Sequence, residues 1–274
     1  MKNSIVILYP YFGPLPWYFS YFVNSCRYNP EINFYIFSDS ECTVALPGNV
    51  TFIDMSFEEF RQMANEKLGM KVNLPVPYKC CDLRPAFGQI FNEYTGGFDF
   101  WGHGDIDVIF GNIKSFLTDE ILSQHDILSV RHDYLAGWFT LYRNTPEINN
   151  MFRLSKDYLK IFTNDKYYNF DETNLSFQKF TWGVPYKSID SEVESMTHVV
   201  KKLQEGNKIR AYFNLHAIEG LTGKIKWTSG DLVFKNKYAI MLYHLLELKK
   251  VYMPQKQPAH IPEKFYISAS RIYH

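Results

Sequence analysis

The chain has 274 residues, 46% of them hydrophobic, which is enough to build one large domain around a sizeable core. Its 29 basic and 29 acidic residues balance to a net charge of zero, so no global positive field attracts nucleic acid, and we predict no nucleic-acid partner. The four cysteines show no metal-ligand spacing, and no apolar run reaches the roughly 18 residues of a membrane span. We therefore expect a soluble, cytoplasmic protein with reduced thiols.

The first part of the chain alternates strands and helices in the order that is typical of a nucleotide-binding α/β fold. Continuous apolar, β-branched runs predict strands that are buried on both faces, and Ser56 opens a capping box that begins a helix. Asp39 follows the second predicted strand, where its carboxylate either holds a ribose or base edge or caps a helix. The predicted strands are residues 4–9, 32–37 and 50–55, and the predicted helices are residues 17–28 and 56–69.

Three charged residues, Lys79, Asp82 and Arg84, occur within six positions of a helix predicted at residues 78–94. Lys79 and Asp82 share one helix face at this spacing. One interpretation is a helical salt bridge, which contributes little on a surface. The other is a cationic wall that faces a diphosphate, with Asp82 orienting Lys79 or Arg84 or touching a bound sugar. The spacing alone leaves both interpretations open.

The pair Asp105 and Asp107 stands between an aromatic run and the apolar run that begins at Val108. Residues i and i+2 of an extended chain point the same way, so both carboxylates should face one side at the end of a buried strand. Two convergent carboxylates repel each other and lose hydration when buried, so they need a cation. Oxygen ligands suit Mg²⁺ or Mn²⁺, which typically bridge to substrate phosphates. We predict a metal–diphosphate site here; the alternative is a turn with two solvated acids.

The second half of the chain adds two further candidate features. Asp171 and Glu172 precede a helix, where they either face an anomeric carbon or an acceptor hydroxyl, or stabilise the helix N-terminus. His244 ends the last strong predicted strand, and we predict it as a third metal ligand because two carboxylates already need a partner. Lys249 follows within reach of phosphates. The other predicted elements are strands at residues 126–130, 138–144 and 237–243, helical segments at residues 113–123, 146–162 and 195–203, a hairpin at residues 223–235, and an irregular tail at residues 254–274.

These motifs together resemble the GT-A glycosyltransferases, and among them the lipooligosaccharide galactosyltransferase and glycogenin type, which has both the Asp-x-Asp and the late histidine. The strings Tyr78-Lys-Cys-Cys-Asp-Leu-Arg-Pro-Ala-Phe-Gly88 and Phe100-Trp-Gly-His-Gly-Asp-Ile-Asp-Val-Ile-Phe-Gly111 also resemble a bacterial family of glycosyltransferase-like proteins from capsule and O-antigen gene clusters. The resemblance implies a GT-A, Rossmann-like α/β fold with a mixed, mostly parallel sheet flanked by helices. It implies a single transferase domain at residues 1–250 and a C-terminal extension at residues 251–274.

The resemblance also implies an activity and a role for each candidate residue. The expected protein is a hexosyltransferase that uses Mn²⁺ or Mg²⁺ to move a sugar from a UDP-linked donor to a glycan, or a lipid-linked glycan, in surface polysaccharide synthesis. Retention at the anomeric carbon is favoured because of His244, although no Lys-Pro-Trp follows that histidine. The implied roles are metal binding for Asp105, Asp107 and His244; ribose binding also for Asp105; uracil and ribose contacts for Tyr9, Tyr11 and Asp39; phosphate and sugar contacts for Lys79, Asp82, Arg84 and Lys249; the sugar cleft for Gly137 and Trp138; and the acid near the anomeric centre for Asp171, with Glu172 as the alternative base.

Two other classes of protein remain open. A nucleotide-sugar hydrolase or a nucleotidyltransferase also pairs acids with Mg²⁺, but it usually carries a glycine-rich loop after the first strand, which residues 10–16 lack. A non-catalytic carbohydrate-binding protein would use its aromatic residues to stack on sugar rings. The C-terminal segment bears lysines and aromatics that either make a peripheral contact with the inner face of the membrane or simply pack against the domain or fray. These residues are Lys249, Lys250, Lys256, Lys264, Phe265, Tyr266 and Tyr273.

Overall fold

Apolar strands and amphipathic helices of the sequence assemble around one seven-stranded sheet in the computed structural model, which describes residues 3–213, 215–255 and 260–274. The strands are β1 (Ile5–Pro10), β2 (Ile32–Ser38), β3 (Val50–Asp54), β4 (Phe100–Gly104), β5 (Val108–Phe110), β6 (Ile127–Ser129), β7 (Phe139–Arg143), β8 (Ala211–Phe213), β9 (Ala217–Glu219), β10 (Ile225–Thr228), β11 (Asp231–Phe234), β12 (Tyr238–Ile240), β13 (Leu242–His244), β14 (Lys264–Ile267) and β15 (Ile272–Tyr273).

Short helices connect these strands. The α-helices are α1 (Phe19–Arg27), α2 (Phe57–Leu68), α3 (Phe87–Ile90), α4 (Asn92–Thr95), α5 (Asp119–Gln124), α6 (Pro146–Asn149), α7 (Tyr158–Thr163), α8 (Phe177–Thr181), α9 (Met196–Glu205) and α10 (Leu248–Val251), and the 3₁₀ segments are Pro77–Ala86, Ile113–Ser115, Met151–Leu154 and Tyr186–Ser188. Within the described ranges, no helix combines the length and the apolar character that a membrane crossing requires.

The large sheet has the strand order β3-β2-β1-β4-β7-β6-β8. Only β7 runs against the other six strands, because it pairs antiparallel with both β4 and β6. Alternate residues of β1 bury against opposite faces: Val6 and Leu8 join the core under α2, whereas Ile5 and Ile7 join the core under α1. Helices therefore cover both faces of a mixed, mostly parallel sheet, and the predicted α/β fold class is confirmed.

Two smaller sheets carry the C-terminal third of the chain. One has the order β5-β13-β9, and the other is an antiparallel sheet with the order β12-β11-β10-β14-β15. The predicted strand at residues 237–243 is thus two short strands in different sheets, β12 and β13. The prediction of an irregular tail at residues 254–274 is wrong for β14 and β15, since Phe265 and Ile267 bury their side chains against the core around Trp227. The proposed boundary at residue 250 stays a prediction.

Three predicted helical segments are broken into shorter pieces. Residues 78–94 form a 3₁₀ helix with Pro85 inside it and then α3 and α4, because proline lacks the backbone donor that a continuing helix needs. Residues 146–162 divide at Ser155, whose extended backbone lets its hydroxyl donate to the carbonyl of Glu194 at 2.7 Å. Residues 113–123 divide at Thr118, which caps α5. The capping box at Ser56 is confirmed.

Candidate functional site

The carboxyl ends of β1 and β4 open into a cavity of about 410 Å³, within the range of volumes that small-molecule sites have. Ligands of open α/β sheets bind at this edge, beyond the strand ends. The cavity wall combines aromatic rings, two carboxylates and two cationic side chains. The lining residues that bear on function are Tyr9, Tyr11, Tyr18, Tyr78, Arg84, Asp105, Asp107 and Lys249.

Asp105, Asp107 and His244 converge beside this cavity, with one ligand atom of each within 4.8 Å of the others. Asp105 and Asp107 lie in the link between β4 and β5. The antiparallel pairing of β5 with β13 sets His244 opposite Val108, the residue that follows Asp107. The backbone amide of Leu245 donates to the carbonyl of Asp107 at 2.8 Å and fixes this register. Strand pairing therefore brings a distant histidine to the two aspartates.

The two ring nitrogens of His244 have different surroundings. Nδ1 lies 2.8 Å from Oε1 of Glu219. Nε2 lies 3.3 Å from Oδ2 of Asp107 and 4.0 Å from Oδ2 of Asp105, but it is buried and makes no hydrogen bond with any described residue. The ring stacks on the indole of Trp138, with centroids 4.7 Å apart. A buried nitrogen without a hydrogen-bonding partner, held beside two carboxylates, is suited to binding a metal ion.

Charge dominates this cluster. Burial alone would lower the pKa of His244, but its polar contacts with Asp107 and Glu219 outweigh burial and raise that pKa to about 10. Burial alone would raise the pKa of Asp107, but contacts with His244 and Lys249 hold that pKa below its ordinary value. The Lys249 ammonium donates to Oδ2 of Asp107 at 2.6 Å. The protonated imidazole of His244 and the ammonium of Lys249 thus balance the charge of Asp107 in the metal-free protein.

The donor set fits a hard divalent cation. Carboxylate oxygens favour Mg²⁺ and Mn²⁺, and an imidazole nitrogen is a common further ligand for Mn²⁺ and other first-row metals. His244 and Asp107 are almost completely buried, whereas about a third of the Asp105 side chain is exposed toward the cavity. The three residues that the sequence analysis selected therefore form a compact group that can hold a metal on the cavity wall.

Arg84 connects the metal-binding candidates to the candidate catalytic acid. Its guanidinium donates through Nη2 to Asp105 and through Nη1 to Oδ2 of Asp171 at 3.0 Å. Asp171 is buried, and its other oxygen, Oδ1, has no partner among the described residues. Burial raises the pKa of this carboxyl well above its ordinary value despite the nearby arginine. Asp171 is therefore held in place by one oxygen while the other remains available.

Glu172 lies on the same loop with both oxygens engaged. The amide of Gly137 donates to Oε1 at 2.6 Å, and Asn169 donates to Oε2 at 2.7 Å. Burial raises the pKa of Glu172. The alternative that Asp171 and Glu172 cap the next helix is wrong, because α8 begins at Phe177 and makes no side-chain cap hydrogen bond.

Gly137 is placed where a side chain does not fit. A Cβ atom there would lie 2.6 Å from Nη1 of Arg84 and 2.6 Å from Oδ2 of Asp171, which is closer than real Cβ contacts allow. Its carbonyl also lies 3.0 Å from Nδ1 of His103. The missing side chain of Gly137 thus makes room for the Arg84–Asp171 pair. The role of Gly137 and Trp138 in lining a sugar cleft stays a prediction.

Lys79 and Asp82 point into the protein interior rather than into the cavity wall. The Lys79 ammonium donates to Asp82 at 2.8 Å and to the carbonyls of Ile161 and Lys166. Asp82 also accepts from the amides of Tyr168 and Phe170, at 2.9 and 2.8 Å. The salt-bridge interpretation fits this geometry, but the pair is buried, not exposed. It anchors the loop that carries Asp171.

The residues proposed to contact the nucleoside divide into two groups. Tyr9 and Tyr11 line the cavity, and the buried Tyr9 hydroxyl has no partner among the described residues. Asp39 is exposed, and its Oδ1 accepts from the amide of Gly13 at 2.8 Å. Gly13 has a φ of +110°, a conformation that favours glycine. Asp39 therefore fixes the loop after β1, and no helix follows it for its side chain to cap.

Sequence reasoning missed Glu219, the hydrogen-bonding partner of His244. The parallel pairing of β13 with β9 sets Glu219 beside His244. No local pattern marks this residue, since its position depends on which strands pair.

Comparisons with known proteins assign a family and show likenesses to solved structures. A comparison with curated proteins gives no match. A crystal structure of the galactosyltransferase LgtC, in complex with donor and acceptor sugar analogues, is similar with a TM-score of 0.33 and 12% sequence identity, over 78% of this chain and 75% of that chain. The sequence profile of a family of unknown function, DUF6625, matches residues 7–274. Since the match covers nearly the whole chain, the protein belongs to the DUF6625 family.

Proposed function

We propose that the protein is a metal-dependent glycosyltransferase that moves a hexose from a UDP-sugar donor to a hydroxyl group of a glycan. The observation that carries the proposal is the convergence of Asp105, Asp107 and His244 on a cavity that also contains Arg84 and Lys249. A site for a metal beside two cationic side chains fits a diphosphate. The half-buried ring of Tyr11, at the end of β1, offers a stacking surface for a base, and the unpartnered hydroxyl of the buried Tyr9 offers a polar contact for the nucleoside.

Two groups of charged residues would bind different parts of the ligand: one group the metal ion and the other the phosphates. Asp105, Asp107 and His244 would hold Mn²⁺ or Mg²⁺, which supplies Lewis-acid stabilisation of the negative charge on a departing diphosphate. Arg84 and Lys249 line the same cavity and pair with Asp105 and Asp107 in the metal-free protein. Arg84 and Lys249 would be released toward phosphate oxygens of the donor if the two aspartates held a metal ion. The two basic side chains would then stabilise the metal-free site and, afterwards, the bound donor.

Asp171 is the residue best suited to act near the anomeric carbon. Arg84 orients it through one oxygen, and the other oxygen has no partner. Its raised pKa suits a group that accepts a proton near neutral pH. In an inverting reaction, Asp171 would take the proton of the acceptor hydroxyl, with Glu172 as the alternative base. In a retaining reaction, which we favour because of His244, it would hold a hydroxyl of the donor sugar.

A thermal-shift screen of nucleotides with and without Mn²⁺ tests this proposal, since a ligand that binds only the folded state raises the melting temperature. We expect UDP to stabilise the protein in the presence of Mn²⁺ and much less in its absence. Asp107→Ala should abolish the Mn²⁺ dependence, and Asp231→Ala, which changes an exposed aspartate of β11, should not. No shift with any nucleotide under either condition would refute the proposal.

Two further measurements test the alternative functions. In the first, UDP release is measured with and without a glycan: a nucleotide-sugar hydrolase would release UDP at the full rate without an acceptor, whereas a transferase accelerates when the glycan is added. A carbohydrate-binding protein would keep its glycan affinity in Asp107→Ala, because stacking on aromatic rings needs no metal. Product stereochemistry measured by NMR then decides between retention and inversion.

We also propose that the acceptor is a glycan or lipid-linked glycan of a surface polysaccharide and that the protein meets the membrane through its five-stranded sheet. Lys226, Tyr266 and Tyr273 are neighbours across β10, β14 and β15, and Lys264 is exposed on the same sheet. Neither lysine forms an ion pair with a described residue; Lys256 lies outside the described residues. Co-sedimentation with vesicles should occur with anionic lipids and fail with neutral ones, and equal binding to both would contradict the contact.

A further inference from the structure

Both ring nitrogens of His244 lie close to carboxylates, Nε2 on the side of the cavity and Nδ1 on the opposite side. Glu219 approaches Nδ1 to 2.8 Å, while Nε2 points at Asp105 and Asp107. We propose that Glu219 is the positioning residue of the metal site: it holds His244 in the orientation and tautomer that present Nε2 to the cation. This inference rests on the metal site of the proposed function.

Glu219 belongs to the outer layer of the site and is not itself a ligand. The group of side chains whose donor atoms approach within 4.8 Å of one another contains Asp105, Asp107 and His244, and Glu219 stands on the opposite edge of the imidazole. Its carboxylate accepts hydrogen bonds, so the nitrogen that contacts it carries the ring proton when His244 ligates. The lone pair is then on Nε2, the nitrogen directed at the aspartates.

The architecture prevents the ring from exchanging its two nitrogens. Glu219 and His244 are register partners on the parallel strands β9 and β13, so their backbones are fixed relative to each other. The imidazole is almost fully buried and stacks on Trp138 with an interplanar angle of 21°. A ring flip would place a carbon atom against Glu219 and give up the only hydrogen bond that Nδ1 makes with a described residue. The orientation of the ligand is therefore set before any cation binds.

Glu219 is in turn held by a second charged pair. Nη1 of Arg131 lies 3.8 Å from Oε2 of Glu219, the oxygen that does not contact His244. Arg131 is itself fixed by Asp133, which accepts from its Nε at 2.8 Å and from its Nη2, and by stacking on Tyr134 at 4.4 Å. A chain of contacts thus runs from the metal ligand through Glu219 to the loop after β6. This support keeps the carboxylate from turning toward solvent.

Mn²⁺ binding to the full-length protein, without nucleotide, tests this role. The signal of free aqueous Mn²⁺ in electron paramagnetic resonance gives the Kd directly. We expect Glu219→Ala to weaken binding by roughly 10- to 100-fold, the usual cost of losing an outer-layer partner of a metal-ligating histidine. Glu219→Gln should recover most of the affinity, because its side-chain carbonyl still accepts from Nδ1. Glu263→Gln, the same change at an exposed glutamate beside β14, should leave the Kd unchanged.

A second readout separates positioning from simple loss of structure. Co²⁺ in place of Mn²⁺ has a visible absorption spectrum that changes when a nitrogen ligand is lost, and we expect Glu219→Ala to change it while Glu219→Gln keeps it. Circular dichroism of the metal-free variants should show unaltered secondary structure. Equal Mn²⁺ affinity and equal Co²⁺ spectra in wild type and Glu219→Ala would overturn the role of Glu219 and leave the proposed function standing. Absence of Mn²⁺ and Co²⁺ binding by the wild type would overturn both.

Discussion

Two ion-pair networks originate from the same 3₁₀ helix, Pro77–Ala86, and they differ in completeness. In the first, Lys79 donates to three acceptors and Asp82 accepts from three donors, and both side chains are buried. In the second, Arg84 holds Asp105 and Asp171 at the cavity, while one oxygen of Asp171 has no partner among the described residues. The first network is closed and the second is open.

The difference indicates what each network is for. Burying a charged pair costs desolvation energy, which the protein offsets when every polar atom is satisfied, as it is around Lys79 and Asp82. A buried carboxylate with an unused oxygen costs free energy in the ligand-free protein and regains it only when a ligand arrives. The closed network therefore stabilises the loop that carries Asp171, and the open network keeps that residue ready for a substrate.

Breaking the closed network should give the largest loss of stability. Lys79→Met leaves Asp82 buried without its counter-charge, and we expect the free energy of unfolding to fall by about 3–5 kcal/mol. Urea denaturation of the metal-free protein measures the change. Arg84→Met, at the partly exposed end of the same helix, should destabilise the protein less while reducing transfer more.

The double variant Lys79→Met, Asp82→Leu checks the reason for the loss. It removes both charges, so most of the lost stability should return even though the helix now lacks its ion pair. A double variant that is no more stable than Lys79→Met would show that the hydrogen bonds of Asp82 to the amides of Tyr168 and Phe170 matter more than the charge.

Crowding the open network should be the next largest effect. Gly137→Ala puts a methyl group 2.6 Å from both Arg84 and Asp171, and we expect a cost of about 1–3 kcal/mol in stability. Transfer activity should fall further than stability does, because the displaced atoms are those that orient Asp171. Gly97→Ala is the matched control, since its Cβ would meet no atom within 4 Å. Equal activity of the two variants would contradict a tight fit at Gly137.

The fold was predictable wherever local sequence decides the structure. The buried strands β1, β2 and β3 follow from continuous apolar runs, and α2 follows from its capping box at Ser56. The partition of residues 237–243 into β12 and β13 was not predictable, because it depends on which distant strands pair. The same holds for β14, a short strand that gains its stability from burying Phe265 and Ile267 against another part of the chain.

The candidate site was predictable in its ligands but not in its support. Two close carboxylates near the end of an apolar strand and a late histidine are visible in the sequence, and the structure brings Asp105, Asp107 and His244 together; their role in metal binding stays a prediction. The sequence does not separate Lys79, which points inward, from Arg84, which faces the cavity. The residues that share one face of a 3₁₀ helix are not those that share one face of an α-helix. The sequence does not reveal which of the two helices forms.

The charge of His244, beside the open network, should make the stability of the metal-free protein depend on pH. The pKa of His244 is raised from 6.5 to about 10 in the folded, metal-free protein. Its contribution is therefore complete below about pH 6.5 and is lost as the pH rises through about 10, by at most about 1.4 kcal/mol per pH unit. In urea unfolding with a chelator present, the stability difference between wild type and His244→Gln should shrink as the pH rises. A difference that stays constant from pH 6.5 to 9.5 would show that folding does not raise the pKa of His244.

Asp39 belongs to neither network, and changing it should give the smallest effect. One carboxylate oxygen accepts from the amide of Gly13, and the side chain is otherwise exposed to solvent. If Asp39 only fixes the loop after β1, Asp39→Ala should weaken UDP binding by about 1 kcal/mol or less, roughly fivefold, whereas Asp39→Asn retains an acceptor oxygen and should bind normally. Isothermal titration calorimetry with UDP and Mn²⁺ measures both. Equal losses in the two variants would instead support the predicted contact with the base, because a carboxylate that accepts from a ring N–H cannot be replaced fully by an amide.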